Sequence, residues 1–342
     1  MRAPLAHVSK VTGSREQGAA LMIVLLVVTI ATVLSVAIAK NQFRAIATGS
    51  NQLDRLQAYF YARGGEEYAR QLLHKDFIDR PGQDDLSEPW AAPDLRFEFE
   101  FGEVEIVIED LQGLFNLNEF VVGQKANTVL QQKLSLMTAQ IGLDPSWLDE
   151  LRDFTDLDGE TSPAGAEDYF YLGLEKPYRT SGQPLYDLSE IRLLRSMTDD
   201  GFNRLRSVMS VLPAAVSPLN VNTASPLVLQ AMATDLTLDQ AQSLTETRLT
   251  LEGFESVQQF LQQPELAGLS LKPDGLGVQS NFFQAKIRAR YGEQIVFLTS
   301  LLFRDGSTGE LTVYQRKNNE RFTIAAEASS NLEDATGDTD GA

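Results

Sequence analysis

AALMIVLLVVTIATVLSVAIA, residues 19–39, runs 21 residues without a charge. At 1.5 Å per residue, an apolar helix of about 20 residues matches the roughly 30 Å hydrocarbon core of a bilayer. Everything after Lys40 is too polar to span again, so the chain crosses a membrane once at most. Ahead of the span, MRAPLAHVSKVTGSREQG carries Arg2, Lys10 and Arg15 against Glu16. The positive-inside tendency holds that end in the cytoplasm and sends the C-terminal body across the membrane, into the periplasm if the chain is bacterial. Three readings of the segment stay open on these residues. Ala37-Ile38-Ala39 fits a signal-peptidase site, although the apolar run is longer than the usual h-region of about 7–15 residues. A plain signal anchor is the second reading. The third is a leader cut on the cytoplasmic side between Gly18 and Ala19, just after Arg15-Glu16.

The residues beyond the span favour a helix that does not stop at the membrane. Phe43, Ile46, Leu53, Leu56 and Phe60 recur at sums of three and four, the stripe of an amphipathic helix. The pattern continues through Tyr68, Leu72 and Leu73, with Gly64-Gly65 weakening it by about 1 kcal/mol per glycine. One helix from Ala19 to about Lys75 would be roughly 85 Å long. A secreted enzyme normally has a break after its signal; a membrane helix that continues into a soluble arm is the shape of a pilin subunit.

Composition narrows the chemistry. The 342 residues hold 29 Lys and Arg against 47 Asp and Glu, a net charge of -18, which repels nucleic acid unless a basic patch intervenes. There is no cysteine, and His7 and His74 are the two histidines. Disulfides, iron–sulfur clusters, thiol nucleophiles and multi-histidine metal centres are excluded. Oxygen ligands remain, and those suit calcium or magnesium.

After a Pro/Asp/Gly-rich loop at 78–94 the period changes to two. Leu95, Phe97, Phe99 and Phe101 alternate with Arg96, Glu98 and Glu100; after a turn at Gly102-Glu103, Val104, Ile106 and Ile108 alternate with acids. This reads as a hairpin with an acidic outer face and an apolar inner face for the arm helix to cover. Helical patterns follow over 125–141, 145–155, 187–196, 199–209, 226–233, 238–249 and 255–262, with Ser225 capping Pro226 and Asp187 or Ser189 capping the run at Glu190. Strands return over 279–291 and 293–303, meeting at Gly292, and over 311–316. Two strands alone are marginal in water, so the two strand regions belong to one sheet interrupted by the helical block. The fold class is α+β: a long N-terminal transmembrane and arm helix packed on an antiparallel sheet, with a large all-α insertion. The divisions are a leader at 1–18, the span at 19–39, the arm at 40–77, the first sheet segment at 78–124, the insertion at 125–265, the remaining strands at 266–326 and an acidic, disordered tail at 327–342.

Two stretches invite a chemical reading. DELRDFTDLDGETSPAGAED, residues 149–168, holds eight acids against Arg152. Asp156-Leu157-Asp158-Gly159 sets two carboxylates beside a glycine bend, as calcium loops begin, and Glu167 and Asp168 return from the far side. It is not an EF-hand, since Phe154 and Gly165 stand at the first and closing ligand positions. A solvated acidic loop is the competing reading, and a glycosidase carboxylate pair a weaker one. Residues 219–261 look like a helix-hairpin-helix unit, but the hairpin reads Ala233-Thr234-Asp235-Leu236-Thr237. Without a glycine pair it cannot present backbone N–H groups to a phosphate, and Arg248 is its lone basic residue. Packing or protein contact is the expected role. P-loop, nucleophile-elbow and dinucleotide motifs are absent.

Four stretches together resemble one family over nearly the whole chain: REQGAALMIVLLVVTIATVLSVAIA at 15–39, EDLQGLFNLNEF at 109–120, AGAEDYFYLGLEKPYRTSGQPLYDLSEIRLLRSMT at 164–198 and LNVNTASPLVLQAM at 219–232. The chain is similar to the K-type minor pseudopilins of bacterial type II secretion systems. Ser196 departs from the glycine expected in its turn. The resemblance implies a leader cut by prepilin peptidase after Gly18, an N-methylated Ala19, a pseudopilin fold with a helical insertion, and no catalysis. It also implies a place in the inner membrane, with the body in the periplasm, at the tip of a pseudopilus that supports export of folded proteins. The implied partners are the I-type and J-type minor pseudopilins, the major pseudopilin, prepilin peptidase and the inner-membrane assembly platform. Calcium is a further implication, with Asp153, Asp156, Asp158, Glu167 and Asp168 as the expected ligands. Pilin-like subunits mostly carry glutamate five residues into the mature chain, to neutralise a neighbour's N-terminal ammonium in an apolar core. Ile23 stands there instead, and a subunit at the tip has no neighbour above it to neutralise. The competing functions are a signal-anchored calcium-dependent periplasmic hydrolase and a helix-hairpin-helix DNA-uptake protein.

Overall fold

The computed structural model describes residues 14–93, 95–122, 125–213 and 217–322. The acidic tail at 327–342 and most of the leader lie outside the described residues. Helix α1 runs from Ser14 to Asp79, 66 residues, roughly 99 Å at the α-helical rise. It contains no proline, and Pro81 biases the residue before it away from helix, which places the end of α1. Within the span, Thr29, Thr32 and Ser35 donate their hydroxyls back to the carbonyls of Leu25, Val28 and Ala31, so no side-chain donor there depends on water.

Strands β1 (Leu95–Phe99) and β2 (Gly102–Asp110) follow. The block between β2 and β9 is wider than the insertion expected at 125–265; it opens with β3 (Phe115–Asn116), β4 (Val121–Val122), β5 (Lys125–Ala126), α2 (Thr128–Gln140), α3 (Ser146–Thr155) and α4 (Asp168–Tyr171). It continues through α5 (Asp199–Leu205), β6 (Met209–Ser210), β7 (Leu219–Asn220), α6 (Pro226–Gln230), α7 (Leu238–Thr250), α8 (Val257–Leu261) and β8 (Leu276–Gly277). Strands β9 (Phe282–Tyr291), β10 (Gln294–Arg304) and β11 (Leu311–Asn318) complete a five-stranded antiparallel sheet in the order β1-β2-β9-β10-β11. The strands on either side of the insertion thus pair directly, β2 against β9. The insertion has its own core, centred on Trp147, Phe154, Tyr171, Phe120, Phe254 and Phe260. It is not purely helical: β3 pairs with β6 and β7 with β8 in parallel, two residues each, and the 187–196 segment is a 3-10 helix from Leu188 to Leu193 capped by Asp187.

Three expectations change in detail. The arm helix does cover the sheet, with Leu73 and the partly buried Leu72 from the end of its stripe, but not with the large residues from Phe43 to Phe60. Ala58, Ala62, Ala69 and Leu73 are fully buried against Val104, Ile106, Ile108 and Ile287, and between them Gly65 lies so close that a Cβ would come within 2.9 Å of Ile287 and Val104. A helix seated this closely on a sheet needs small residues, which explains why Gly64-Gly65 does not break it. Phe43, Ile46, Leu53, Leu56 and Phe60 are left exposed, Phe43 at 74% and Leu53 at 68%. The hairpin turn also shifts. Phe99 pairs with Gly102, so Glu100-Phe101 make the turn, and Gly102 sits inside the sheet where any side chain would overlap the Arg290 carbonyl.

The outer face of the sheet, finally, is not a bare acidic surface. Glu103 accepts from Arg290 at 2.8 Å, Glu105 from Arg288 at 2.6 Å and Glu109 from Lys286 at 2.7 Å. The basic residues of β9 recur with the same period of two as the acids of β2, so the ladder register aligns them across the strands.

Candidate functional site

Helix α3 ends at Asp156, whose N–H still donates to the Arg152 carbonyl. The loop that follows is fastened to α3 by the helix's own acids. Asp149 accepts from the Ala164 N–H at 3.1 Å, and Asp153, fully buried, accepts from the Ser162 N–H at 3.2 and 3.1 Å. Glu150, also fully buried, is held by Arg195 and by both the N–H and the hydroxyl of Ser196. Ser196 therefore anchors the segment at which glycine was expected.

This folding brings Asp156, Asp158 and Glu167 together, each offering a carboxylate oxygen within 4.8 Å of the others. Asp156 and Glu167 are buried, and Asp156 Oδ1 and Glu167 Oε1 have no hydrogen-bond donor. The arginine pairs in this region go elsewhere: Arg179 to Asp168 at 3.2 Å and Arg195 to Glu150 at 3.1 Å. Burial, then the nearby Asp153 and Asp156 charges, push Glu167 up to about 7. Burial, with Asp158 and Asp153, also raises Asp156. Of the remaining expected ligands, Asp153 is engaged by the Ser162 N–H, and Asp168 accepts from the Thr180 N–H and hydroxyl as well as from Arg179. The residues fit a hard divalent cation: oxygen donors, unpaired buried oxygens and mutual repulsion that a positive ion would relieve.

The helix-hairpin-helix segment offers no comparable site. Thr237 caps α7 in a capping box with Gln240. Arg248 is buried, and its Nη1 donates to the carbonyls of Val221 and Ala224 at 2.9 and 2.8 Å. Its charge is used inside the fold and does not reach a phosphate.

Gly18, Ala19 and Ile23 lie on α1 and are exposed, at the start of the uncovered apolar surface that continues through Val36 and Ile38 and resumes at Phe43, Ile46, Leu53, Leu56 and Phe60. Sequence reasoning missed the paired asparagines at the root of the insertion. Asn116 and Asn220 each accept from the N–H two residues on, at Asn118 and Asn222. Asn118 then bridges Leu185 and Leu212, and Asn222 grips both backbone groups of Phe254. The signal was a repeated Asn-x-Asn, at 116–118 and 220–222.

Comparison with known proteins places this architecture. Two family models, each described as "Type II secretion system (T2SS), protein K", match residues 113–214 and 219–279. The type II secretion system protein K of Pseudomonas aeruginosa is 34% identical, over 88% of this chain and 92% of that protein. Its counterpart from Pectobacterium carotovorum is 30% identical, over 89% of this chain and 97% of that protein. Among solved structures, a chain of the GspK-GspI-GspJ complex from enterotoxigenic Escherichia coli superposes with a TM-score of 0.66 at 24% identity, covering 80% of this chain and 99% of that one.

Proposed function

The chain belongs to the type II secretion system protein K family and is a minor pseudopilin, and from that premise we propose that it stands at the tip of a pseudopilus, as initiator or cap, and performs no catalysis. Prepilin peptidase cuts between Gly18 and Ala19, Ala19 is then N-methylated, and residues 19–39 hold the subunit in the inner membrane with its body in the periplasm. The observation that carries this reading is the unbroken α1. Its span passes directly into an arm whose large apolar side chains, Phe43 to Phe60, are left uncovered by the head. An apolar stripe of that length beside water is costly, and parallel helices of sibling subunits would cover it. The proposed neighbours are the I-type and J-type minor pseudopilins, with the major pseudopilin below and the assembly platform at the membrane.

Calcium is part of the same proposal. Asp156, Asp158 and Glu167 would hold it, and it would supply a fixed positive charge that closes the 156–167 loop onto α3. Its role there is structural. The net charge of -18 argues against a DNA-uptake role.

Because the chain has no cysteine, a single Leu53→Cys variant gives a clean cross-linking probe in membranes that carry the sibling pseudopilins with cysteines at matching arm positions. Cross-links to the I-type or J-type subunit are expected. Their absence, with cross-links formed instead from a cysteine on the outer sheet face, would overturn the arm-docking reading.

A further inference from the structure

A second buried acidic group sits where the arm, the sheet and the insertion meet. Asp76, in the last turn of α1, lies beside Asp84 and Glu88 of the loop that follows, with one oxygen of each within 4.8 Å of the others; all three are buried. Arg304, at the end of β10 and fully buried, donates Nη2 to both oxygens of Asp84 at 2.5 Å and to the Ser280 carbonyl at 2.7 Å. Glu88 Oε2 accepts from Trp90 Nε1 at 2.6 Å and from the Asp85 N–H at 3.2 Å. Two oxygens remain without a hydrogen-bond donor, Asp76 Oδ2 and Glu88 Oε1. The geometry brings one oxygen of Asp76 and one of Glu88 within 4.8 Å of each other in a buried setting.

A bridging cation and a bridging proton would each satisfy such a pair. The surroundings discriminate between them. Arg304 Nη1 lies 3.6 Å from Asp76 Oδ2 and Arg80 Nη1 lies 3.3 Å from Glu88 Oε1, so a divalent ion would stand beside two guanidinium groups. A proton adds one charge and supplies the missing donor. We propose that Asp76 and Glu88 share a single proton, forming a buried carboxyl–carboxylate bond that latches the end of the arm helix to the head and loosens when the proton is lost.

The charged groups facing the pair are Lys75 in the arm, Arg80, Asp84 and Asp85 in the loop, and Arg304 from β10; Asp110 from β2 and Arg248 from α7 stand behind them, acting on Asp84 and Asp85. Burial, then Asp84, raises Asp76, and burial, with the Asp76 charge adding to it, raises Glu88; the two titrate as a single pair whose last proton leaves well above the ordinary carboxyl range. Between the unfolded carboxyl range and that last step, the folded state holds a proton that the unfolded chain has lost. Stability therefore falls as pH rises across that window and levels off above it. The latch bears on the insertion as well, because Arg80 and Gln83 donate to the Glu252 carbonyl and Asn220 donates to the Asp84 carbonyl.

The test uses the full chain in detergent micelles carrying Glu167→Gln, since Glu167 titrates in the same range. Its melting point is expected to fall as the pH climbs from the ordinary carboxyl range toward about 8 and to level off above, while Asp76→Asn, whose amide supplies a donor at any pH, falls clearly less over the same range. At about pH 6 an infrared band from a protonated buried carboxyl is expected, and Asp76→Asn and Glu88→Gln should each remove part of it. Parallel melting profiles with an unchanged band would overturn the proposal. So would a rise in melting point on adding calcium that Asp76→Asn abolishes, which would make this a cation site.

Discussion

A carboxylate oxygen of Asp156 and one of Glu167 lie within 4.8 Å of each other, and each of these buried residues keeps one oxygen without a donor. Their separation in sequence is bridged by a loop that α3 itself fastens down. If calcium completes this site, the ion stabilises the head by an amount that grows with the logarithm of its concentration over Kd: at a hundredfold excess the gain is about 2.7 kcal/mol. The melting point should rise with calcium, fall with chelator, and stop responding in Glu167→Gln. Glu167 also fixes the pH behaviour. Without the ion its raised value, about 7, means that stability declines as pH rises from the ordinary carboxyl range toward 7. With calcium the carboxylate must be ionised to bind, so the metal-dependent gain grows over the same interval. A calcium response equal at pH 5.5 and 7.5 would contradict this assignment.

Gly64 and Gly65 should behave oppositely. A Cβ on Gly64 meets nothing within 4 Å, whereas one on Gly65 comes within 2.9 Å of Ile287 and Val104. Gly64→Ala is expected to gain about 1 kcal/mol from helix propensity, and Gly65→Ala to lose about 1–3 kcal/mol by forcing the arm off the sheet. Urea midpoints of the two variants decide the matter; equal shifts would mean that the arm does not seat as described.

Glu66 ties the same contact together electrostatically. It is 2% exposed and accepts from Arg316 Nε and Nη2 at 2.7 and 3.0 Å and from the Ser300 hydroxyl. Burial alone would raise its pKa, but Arg316 and Ser300, with Arg63, hold it below the ordinary value. Its contribution is therefore present above the unfolded carboxyl range and is lost as pH falls through the depressed value. Arg316→Ala should cost about 1.5–3 kcal/mol, the range for losing hydrogen bonds to a charged group, since Glu66 is buried but Arg316 is partly exposed and Arg63 still reaches the carboxylate. Denaturation at pH 7 and at pH 3 measures both the loss and its disappearance in acid.

The apolar residue at the start of the span gives a prediction about position. If Ile23 is tolerated because no subunit stands above the tip, Ile23→Glu should let the protein enter the body of the filament, detected as its recovery along sheared pseudopili. Tip-only complexes with normal secretion would count against that reasoning.

Much of this architecture was legible because it rests on period. The uncharged run at 19–39, the alternation at 95–109 and 279–303 and the capped helices needed no tertiary information. Most of the arm's buried face was not legible because large apolar residues usually mark the core side, and here Ala58, Ala62, Gly65 and Ala69 do so beside Leu73. Their smallness is required by the approach of Ile287 and Val104, from strands far away in sequence. The acids of β2 looked like a solvent face because Lys286, Arg288 and Arg290, which pair with them alongside Arg96 of β1, lie on β9, beyond the whole insertion. The acidic loop was visible as a cluster, but which carboxylates converge depends on the backbone N–H groups that claim Asp153 and Asp168.

The central claim is that the apolar helix beginning at Ala19 stays attached to the head and is processed on its cytoplasmic side. Mass spectrometry of the N-terminal peptide of the protein isolated from membranes of its native cells tests this most directly. A methylated Ala19 terminus is the predicted result, and a terminus at Lys40, with the protein free in the periplasm, would contradict it.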